Sequence, residues 1–324
     1  MALLSRVATV LYVLGRDVER TEHLARLLRT HFELSLDRPA PSGRFWSDFL
    51  RLTGWATEEP VARDHAFNLV LRGEGESLRL AMESARRAAQ AVRPSLSMEV
   101  WEQVNALYWR LSDAAFEDGP SDALRRVEMG TQLIAGLVDD TMAHDDAWRF
   151  VKLGKYLQRA AGVTRLVAHK RGELAGHEDD AVAWAGVLRC CASLEAFLLR
   201  HDGSTSAEAV SRFLLLDRLS PRSAGFCVAR ALSAVRAIDG PGRESPPHRA
   251  LGRLAATFQY ADPERVGAAP AAVVARFGEQ LDDVQRALRV TYFQPSRLSL
   301  QLADEPLSRH PQQQQQRRDR GRAS

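Results

Sequence analysis

The sequence has almost none of the features that mark a β-fold, a membrane span or a disulfide framework. It contains no alternating run of β-branched residues and no Asn-Gly turn, which excludes an all-β architecture. No apolar stretch approaches the ~18 residues that a membrane helix needs. The three cysteines, Cys190, Cys191 and Cys227, form no Cys-x-x-Cys pair, and we expect buried thiols. The N-terminal stretch has no signal-peptide pattern, so we expect a soluble cytoplasmic protein.

Lysine is also scarce, because Lys152, Lys155 and Lys170 are the only three among 44 basic residues. The others are arginines, which hold anions well but transfer protons poorly. The net charge of +3 lies entirely in residues 311–324, and the remaining chain is balanced. A balanced body favours ion-paired helix faces, and we expect neither a nucleic-acid nor a membrane partner. Nucleic-acid binding by the basic tail is the alternative.

What the sequence has in abundance is helical pattern, with Ala, Leu, Arg and Glu dominant and apolar residues spaced by three and four. The fold class that this predicts is all-α, a multi-helix bundle with an internally repeated long helix. We expect one domain over 1–293, built from related halves 1–143 and 144–293, and a disordered Gln/Arg-rich tail over 294–324. The predicted helices cover residues 3–36, 43–55, 58–71, 75–93, 97–117, 121–143, 145–171, 179–201, 206–216, 221–238, 247–260 and 264–293.

One segment occurs twice. Residues 14–20, Leu-Gly-Arg-Asp-Val-Glu-Arg, match residues 153–159, Leu-Gly-Lys-Tyr-Leu-Gln-Arg, at an offset of 139. Gly15 and Gly154 lie in mid-helix, where glycine costs about 0.5–1 kcal/mol relative to alanine, so they suggest close approach of another helix or a ligand. The first copy carries a polar arc, which consists of Arg16, Glu19, Arg20, His23 and Arg26. This arc is either a solvent-exposed face laced with ion pairs or a polar seam between helices that faces a cleft.

The segment LSRVATVLYVLGRDVERTEHLARLL, residues 4–28, resembles the opening of the bacterial alpha-E family, whose pattern is close to LSR-A-LYWLGR-(I/L)-ERAEN-AR-L. Further matches follow in order along residues 1–293. They are Arg86, Arg93, Trp101 and Asn105, then Thr141-Met142 with Trp148, Phe150 and residues 153–159, and finally residues 213–217 with 220–223.

The resemblance implies an all-helical domain without an assigned biochemical activity. Relatives are commonly encoded beside, or fused to, circularly permuted ATP-grasp proteins and transglutaminase-like proteins, a setting that suggests peptide or amide-bond chemistry. Two departures weaken a catalytic interpretation. Lys155 and Gln158 stand where the family has Arg and Glu, and the family's ARENAR appears as Ala-Arg-Arg-Ala-Ala-Gln over residues 85–90.

These observations leave two functions open, and the sequence does not decide whether the protein is an enzyme. The first is a non-catalytic partner or scaffold for an ATP-grasp or transglutaminase-type system. The second is an enzyme or binding domain whose Arg/Glu cleft holds a carboxylate or phosphate, with Glu19 as general base. The candidate ligand-binding residues are Arg16, Glu19, Arg20, Arg26, Arg86, Asn105, Lys155, Arg159, Arg165 and Arg222.

No cofactor or metal is expected from the sequence. It contains no Glu-x-x-His pair of the kind that di-iron bundles use, no phosphate-binding loop, no Gly-x-Gly-x-x-Gly and no Gly-x-Ser-x-Gly. Cys227 lies near Arg222 and Arg230 in sequence, so an activated thiol is conceivable there, but a core thiol is the favoured interpretation.

Overall fold

A computed structural model describes residues 5–36, 43–55, 57, 59–113, 119–173, 180–201, 205–268 and 270–293. Within these ranges the regular structure is entirely helical, which confirms the predicted all-α class. None of the described helices combines the length and apolar character that crossing a membrane requires. The tail predicted over 294–324 lies outside the described residues.

Fourteen α-helices occur in the described ranges, and a short 3-10 turn at Arg93–Ser95 follows the fourth. They are α1 Ser5–Leu36, α2 Gly43–Thr53, α3 Arg63–Arg72, α4 Leu78–Ala91, α5 Met98–Asp113, α6 Pro120–Thr141, α7 Asp146–Glu173, α8 Ala181–Cys190, α9 Leu194–Leu198, α10 Ala207–Leu216, α11 Ala224–Asp239, α12 Pro246–Gln259, α13 Pro263–Ala268 and α14 Pro270–Tyr292.

Two predicted helices are each divided in the structure. The predicted helix over 179–201 breaks after α8, where Ala192 has a φ of 50°, a left-handed conformation that interrupts the helical hydrogen bonds. The predicted helix over 264–293 divides into α13 and α14, and Pro270 occupies the first position of α14. Proline favours that position because its missing N–H has no helical partner there.

Three helices in the second half of the chain begin at side-chain caps. Asp262 caps α13, since its Oδ1 accepts from the backbone N–H groups of Glu264 and Arg265 at 3.0 and 3.4 Å. The helix predicted over 221–238 begins at Ala224 instead, because Ser223 caps α11 and accepts from Phe226 N at 3.1 Å. Ser206 caps α10.

Helix α1 is the central element of the fold. It packs against α4, α6, α7 and α8, and 22 of its 32 residues are buried. Helix α7 is its main neighbour and extends the core towards α11 and α14. Because partners surround α1 on several sides, its polar arc lies inside the protein rather than in water.

Helices α1 and α7 run parallel, with the two sequence copies side by side. Gly15 faces Val151, Gly154 faces Tyr12, and Gly162 faces His23. These pairs differ by 136, 142 and 139 in residue number, values centred on the repeat offset. A Cβ added at Gly15 would lie 2.8 Å from the carbonyl carbon of Val151, so both backbones occupy space that a side chain would need. The predicted close approach at the two repeat glycines is therefore confirmed.

Candidate functional site

The ion pair at the centre of the site joins the two repeat copies. Arg159 on α7 donates from Nε and Nη2 to the two carboxylate oxygens of Glu19 on α1, both at 2.6 Å. Its third nitrogen, Nη1, donates to the carbonyl of Pro221 at 3.1 Å. The Glu19 and Arg159 side chains are only 5% and 9% exposed. This is a bidentate, nearly dry pair, the strongest geometry for a guanidinium and a carboxylate.

One turn further along α1, the carboxylate of Glu22 lies close to three guanidiniums. Its Oε1 accepts from Arg26 and from Arg222, both at 2.5 Å, while Arg159 approaches its Oε2 at 3.8 Å. Gln132 on α6 adds a hydrogen bond at 3.3 Å. Arg222 lies in the connection before α11, so Glu22 links that connection to α1 and α6.

The chain of ion pairs continues to the end of α1. Glu128 on α6 binds Arg26 at 3.0 Å and Arg29 at 2.6 Å, and Arg29 also binds Glu33 at 2.9 Å. We call this whole set the Glu–Arg network. It comprises Glu19, Glu22, Arg26, Arg29, Glu33, Glu128, Arg159 and Arg222. With four carboxylates and four guanidiniums, the network carries no net charge.

The electrostatics of the network follow from burial opposed by close pairing. Burial acts to raise the pKa of Glu22, but the guanidiniums of Arg222, Arg159 and Arg26 outweigh it and lower that pKa to about 2. Burial acts to lower the pKa of Arg159, and Glu19 more than reverses this effect, so the pKa lies above its ordinary value. Both groups are therefore fully charged at neutral pH.

Arg16 and Arg20, which were predicted to share a site with Glu19, bind other acids. Arg16 forks onto Asp17 of its own helix at 2.7 and 3.1 Å, and Ser84 on α4 donates to the same carboxylate at 2.5 Å. Arg20 binds Glu76 in the segment before α4. Of the polar arc, only Glu19 and Arg26 belong to the Glu–Arg network. The burial of Arg16, Glu19 and Arg26, each at most 6% exposed, rules out a solvent-exposed face.

The other predicted residues lie at separate places. Arg86 on α4 donates to the Asn105 side chain on α5 at 2.7 Å and stacks on the rings of Tyr108 and Trp109 at 4.8 and 5.4 Å. This pair joins two helices away from the network. Arg165 on α7 is half-buried, and desolvation together with the charge of nearby Arg20 lowers its pKa to about 10.

Lys155 lines a small cavity between α1, α6 and α7. The cavity measures about 20 Å³, and Glu19, Glu22 and Lys152 also reach it. Burial and the neighbouring charges of Arg159 and Lys152 lower the pKa of Lys155 to about 8. On α11, Cys227 is fully buried and burial raises its pKa to about 12, so the core-thiol interpretation is confirmed.

Sequence reasoning missed several residues of the site. Glu22, Arg29 and Glu128 belong to the Glu–Arg network, yet none was predicted. Glu22 lies three residues after Glu19 and four before Arg26, so helical spacing could have identified it. Glu128 carries no such signal, because a single Glu on another helix becomes a partner only through tertiary packing. In the described part of the chain, no group of three His, Cys, Asp or Glu residues is arranged to hold a metal ion.

Fold and site together define an all-helical domain whose core is crossed by a buried glutamate–arginine network. The chain belongs to the Alpha-E family, described as a predicted alpha-helical domain with a conserved ER motif, which matches residues 3–293. Glu19-Arg20 on α1 is the Glu-Arg dipeptide of the first repeat copy, and Gln158-Arg159 holds the corresponding position on α7.

Curated relatives come from mycobacteria. The chain is 24% identical over 314 residues to "Uncharacterized protein Rv2567" of Mycobacterium tuberculosis and to "Uncharacterized protein Mb2597" of Mycobacterium bovis. Each match covers 88% of this chain but 36% of the relative, so the chain spans about a third of the relatives' length. No solved structure matches this chain.

Proposed function

We propose that this protein is a non-catalytic helical partner or scaffold for ATP-grasp-like and transglutaminase-like proteins that carry out peptide or amide-bond chemistry. The observation that carries the proposal is the charge balance of the Glu–Arg network. Each of its four guanidiniums faces a carboxylate of the same network, at 3.0 Å or less. A substrate anion would have to displace one of those buried carboxylates, which costs several kcal/mol.

The network instead suits a structural task. Glu19 and Glu22 on α1 bind groups from α7 and from the connection before α11, and Arg26 and Arg29 bind Glu128 on α6. Ion pairs of this geometry fix the relative positions of several helices, because each bidentate or shared contact tolerates little displacement. A rigid helical platform is what a scaffold needs in order to present a surface to other proteins.

The length of the relatives supports the same proposal. In the two mycobacterial proteins the matched segment is about a third of the chain, so the equivalent domain is joined to a larger polypeptide. A domain that works within a longer chain in one case can work with a separate protein in another. The cytoplasm is the compartment that we propose for such a complex.

Co-expression with ATP-grasp-like and transglutaminase-like proteins tests the proposal. We expect a stoichiometric complex at micromolar concentration by size-exclusion chromatography with light scattering. A chain that elutes alone beside every such protein would contradict the proposal.

The Glu19→Gln variant separates this proposal from the enzyme or ligand-binding alternative, which requires the Glu19 carboxylate. Under the scaffold proposal, the folded fraction of Glu19→Gln still binds the partner with wild-type affinity, and Glu33→Gln at the exposed end of the network serves as control. Loss of partner binding or of cellular function in a fully folded Glu19→Gln sample, but not in Glu33→Gln, would favour the alternative.

A further inference from the structure

The outward face of helix α6 carries two large apolar side chains that the described part of the chain leaves uncovered. Met129 and Leu133 are 61% and 50% exposed, and they lie one helical turn apart. Gly136 extends the same face, and a Cβ added there would contact nothing within 4 Å outside the backbone of its own helix. Glycine in mid-helix is unfavourable relative to alanine, so this open position suggests close approach of another helix. Together with Arg126 and Asp140, these residues form what we call the α6 face.

Two opposite charges lie at the ends of the α6 face. Arg126 and Asp140 are both exposed, and within the described part of the chain neither side chain forms an ion pair or a hydrogen bond. Arg126 lies seven residues before Leu133 and Asp140 lies seven residues after it, so each charge is about 10 Å from Leu133 along the helix axis. The charges of Asp122 and Arg125, nearer the start of the helix, cancel. The face is therefore neutral, with opposite charges at equal distances from its centre.

The opposite side of α6 is fixed by the Glu–Arg network. Glu128 binds Arg26 at 3.0 Å and Arg29 at 2.6 Å, and Gln132 donates to Glu22 at 3.3 Å. These contacts hold α6 against α1, so its outward face is presented by a helix whose position is set before any second surface arrives. Little conformational entropy is then lost when that face is covered.

We propose that the α6 face joins two copies of this chain, with the two α6 helices packed antiparallel about a two-fold axis at Leu133. Arg126 of each copy then lies level with Asp140 of the other, so two ion pairs form from four unpaired charges. The two Leu133 side chains meet across the axis, and Met129 of one copy reaches the open space beside Gly136 of the other. A two-fold contact uses the same patch on both copies, and a patch with opposite charges at equal distances from its centre meets that requirement. A parallel arrangement would instead bring like charges together.

A contact along one pair of helices is small for a protein interface, so the expected dimer is weak, with a dissociation constant on the order of tens of micromolar. Sedimentation equilibrium of the full-length chain from about 1 µM to about 300 µM measures this constant. The weight-average mass should rise from 36.0 kDa towards twice that value. Urea unfolding at about 1 µM, well below the constant, then reports on the single chain. A chain that keeps the monomer mass at the highest concentration overturns the proposal.

Charge reversals test the antiparallel register. Arg126→Asp brings two carboxylates together at each end of the contact, and Asp140→Arg brings two guanidiniums together, so each variant should weaken association about three- to tenfold. The double variant exchanges the signs and should recover the wild-type dissociation constant. An equimolar mixture of the two single variants should associate more tightly than either variant alone, because an acidic face then meets a basic one. If the double variant is as weak as the single variants, or the mixture gains nothing, the proposal fails.

Leu133→Glu tests the centre of the contact, because it places two carboxylates on the two-fold axis and should abolish association over the same concentrations. The matched control is Leu219→Glu, since Leu219 is 74% exposed in the connection before α11 and its replacement should leave the dissociation constant unchanged. Circular dichroism verifies that both variants keep the wild-type helix content. Wild-type association of Leu133→Glu, or equal loss in both variants, overturns the proposal. The experiment uses this chain alone, so its outcome is independent of the scaffold proposal, which the inference goes beyond.

Discussion

The bidentate pair between Glu19 and Arg159 offers the most direct test of the network's structural role. Glu19→Gln preserves the shape of the side chain but removes its charge, and replaces one acceptor oxygen with a donor amide. Arg159 then donates one remaining hydrogen bond to the Gln oxygen, keeps its bond to the Pro221 carbonyl at 3.1 Å and lies 3.8 Å from Glu22. The guanidinium stays buried and loses most of the negative charge that compensates its burial.

The expected loss of unfolding free energy follows from the burial of the pair and from the contacts that Arg159 keeps. Removing one partner of a buried ion pair costs about 3–5 kcal/mol in unfolding free energy. Because Glu22 and Pro221 still contact Arg159, we expect the lower end, about 3 kcal/mol. The matched control is Glu33→Gln, since Glu33 belongs to the same network but its side chain is 43% exposed. Exposed pairs contribute about 0–1 kcal/mol, so Glu33→Gln should cost less than about 1 kcal/mol.

Urea unfolding, followed by circular dichroism and tryptophan fluorescence together, measures both variants by linear extrapolation. A double-mutant cycle with Arg159→Gln isolates the pair, and we expect a coupling energy of about 2 kcal/mol. The reasoning is refuted if Glu19→Gln costs no more than Glu33→Gln, or if the cycle shows no coupling. In that case the network would not be what holds α1 and α7 together.

Three further predictions concern the surrounding helices. Gly15→Ala should destabilise the fold by several kcal/mol in urea unfolding, because its Cβ would meet the Val151 backbone. The control Gly136→Ala, with open space around it, should be neutral or stabilising by up to about 1 kcal/mol. Equal effects of the two variants would mean that α1 and α7 are not in close contact. Burial and the charge of Arg165 lower the pKa of His23 to about 4. Between about pH 6.5 and pH 4 the unfolded chain therefore binds a proton at His23 that the folded chain does not bind, so the free energy of unfolding should fall as pH drops through this range. His23→Gln should flatten that part of the stability profile relative to wild type, and an unchanged profile would count against a buried neutral imidazole. Ser223→Ala should cost about 1 kcal/mol by loss of the α11 cap, and no measurable change in the urea midpoint would contradict that role.

The sequence predicted most of the helices because apolar periodicity and capping residues are local signals. It failed where the decisive cause was not local. Ala192, after α8, has a left-handed backbone conformation, yet no glycine or proline there indicates a helix break in the sequence. The polar arc of α1 was ambiguous for a related reason: periodicity shows which residues share a face, but not that other helices cover that face on several sides.

The site was predictable only to the extent that the repeat exposed it. The equal spacing of the two copies indicated a seam between helices, and Glu19 and Arg159 do meet across it. Arg16 and Arg20 were expected in the same place, yet Asp17 and Glu76 bind them instead. Competition among neighbouring acids for a guanidinium depends on distances of an ångström or less, and residue order does not encode such distances.

The parallel register of α1 and α7 gives a physical reason for one departure from the family pattern. Gln158 corresponds to Glu19, and Arg20 corresponds to Arg159, so the repeat would place a second pair between positions 158 and 20. Gln158 is buried at 5% exposure, and Arg20 is bound to Glu76. A carboxylate at 158 would share that guanidinium with Glu76, and a buried carboxylate without full compensation is costly. A neutral glutamine retains the shape of the family residue without that charge, which leaves Glu19 as the single acidic member of the repeated pair.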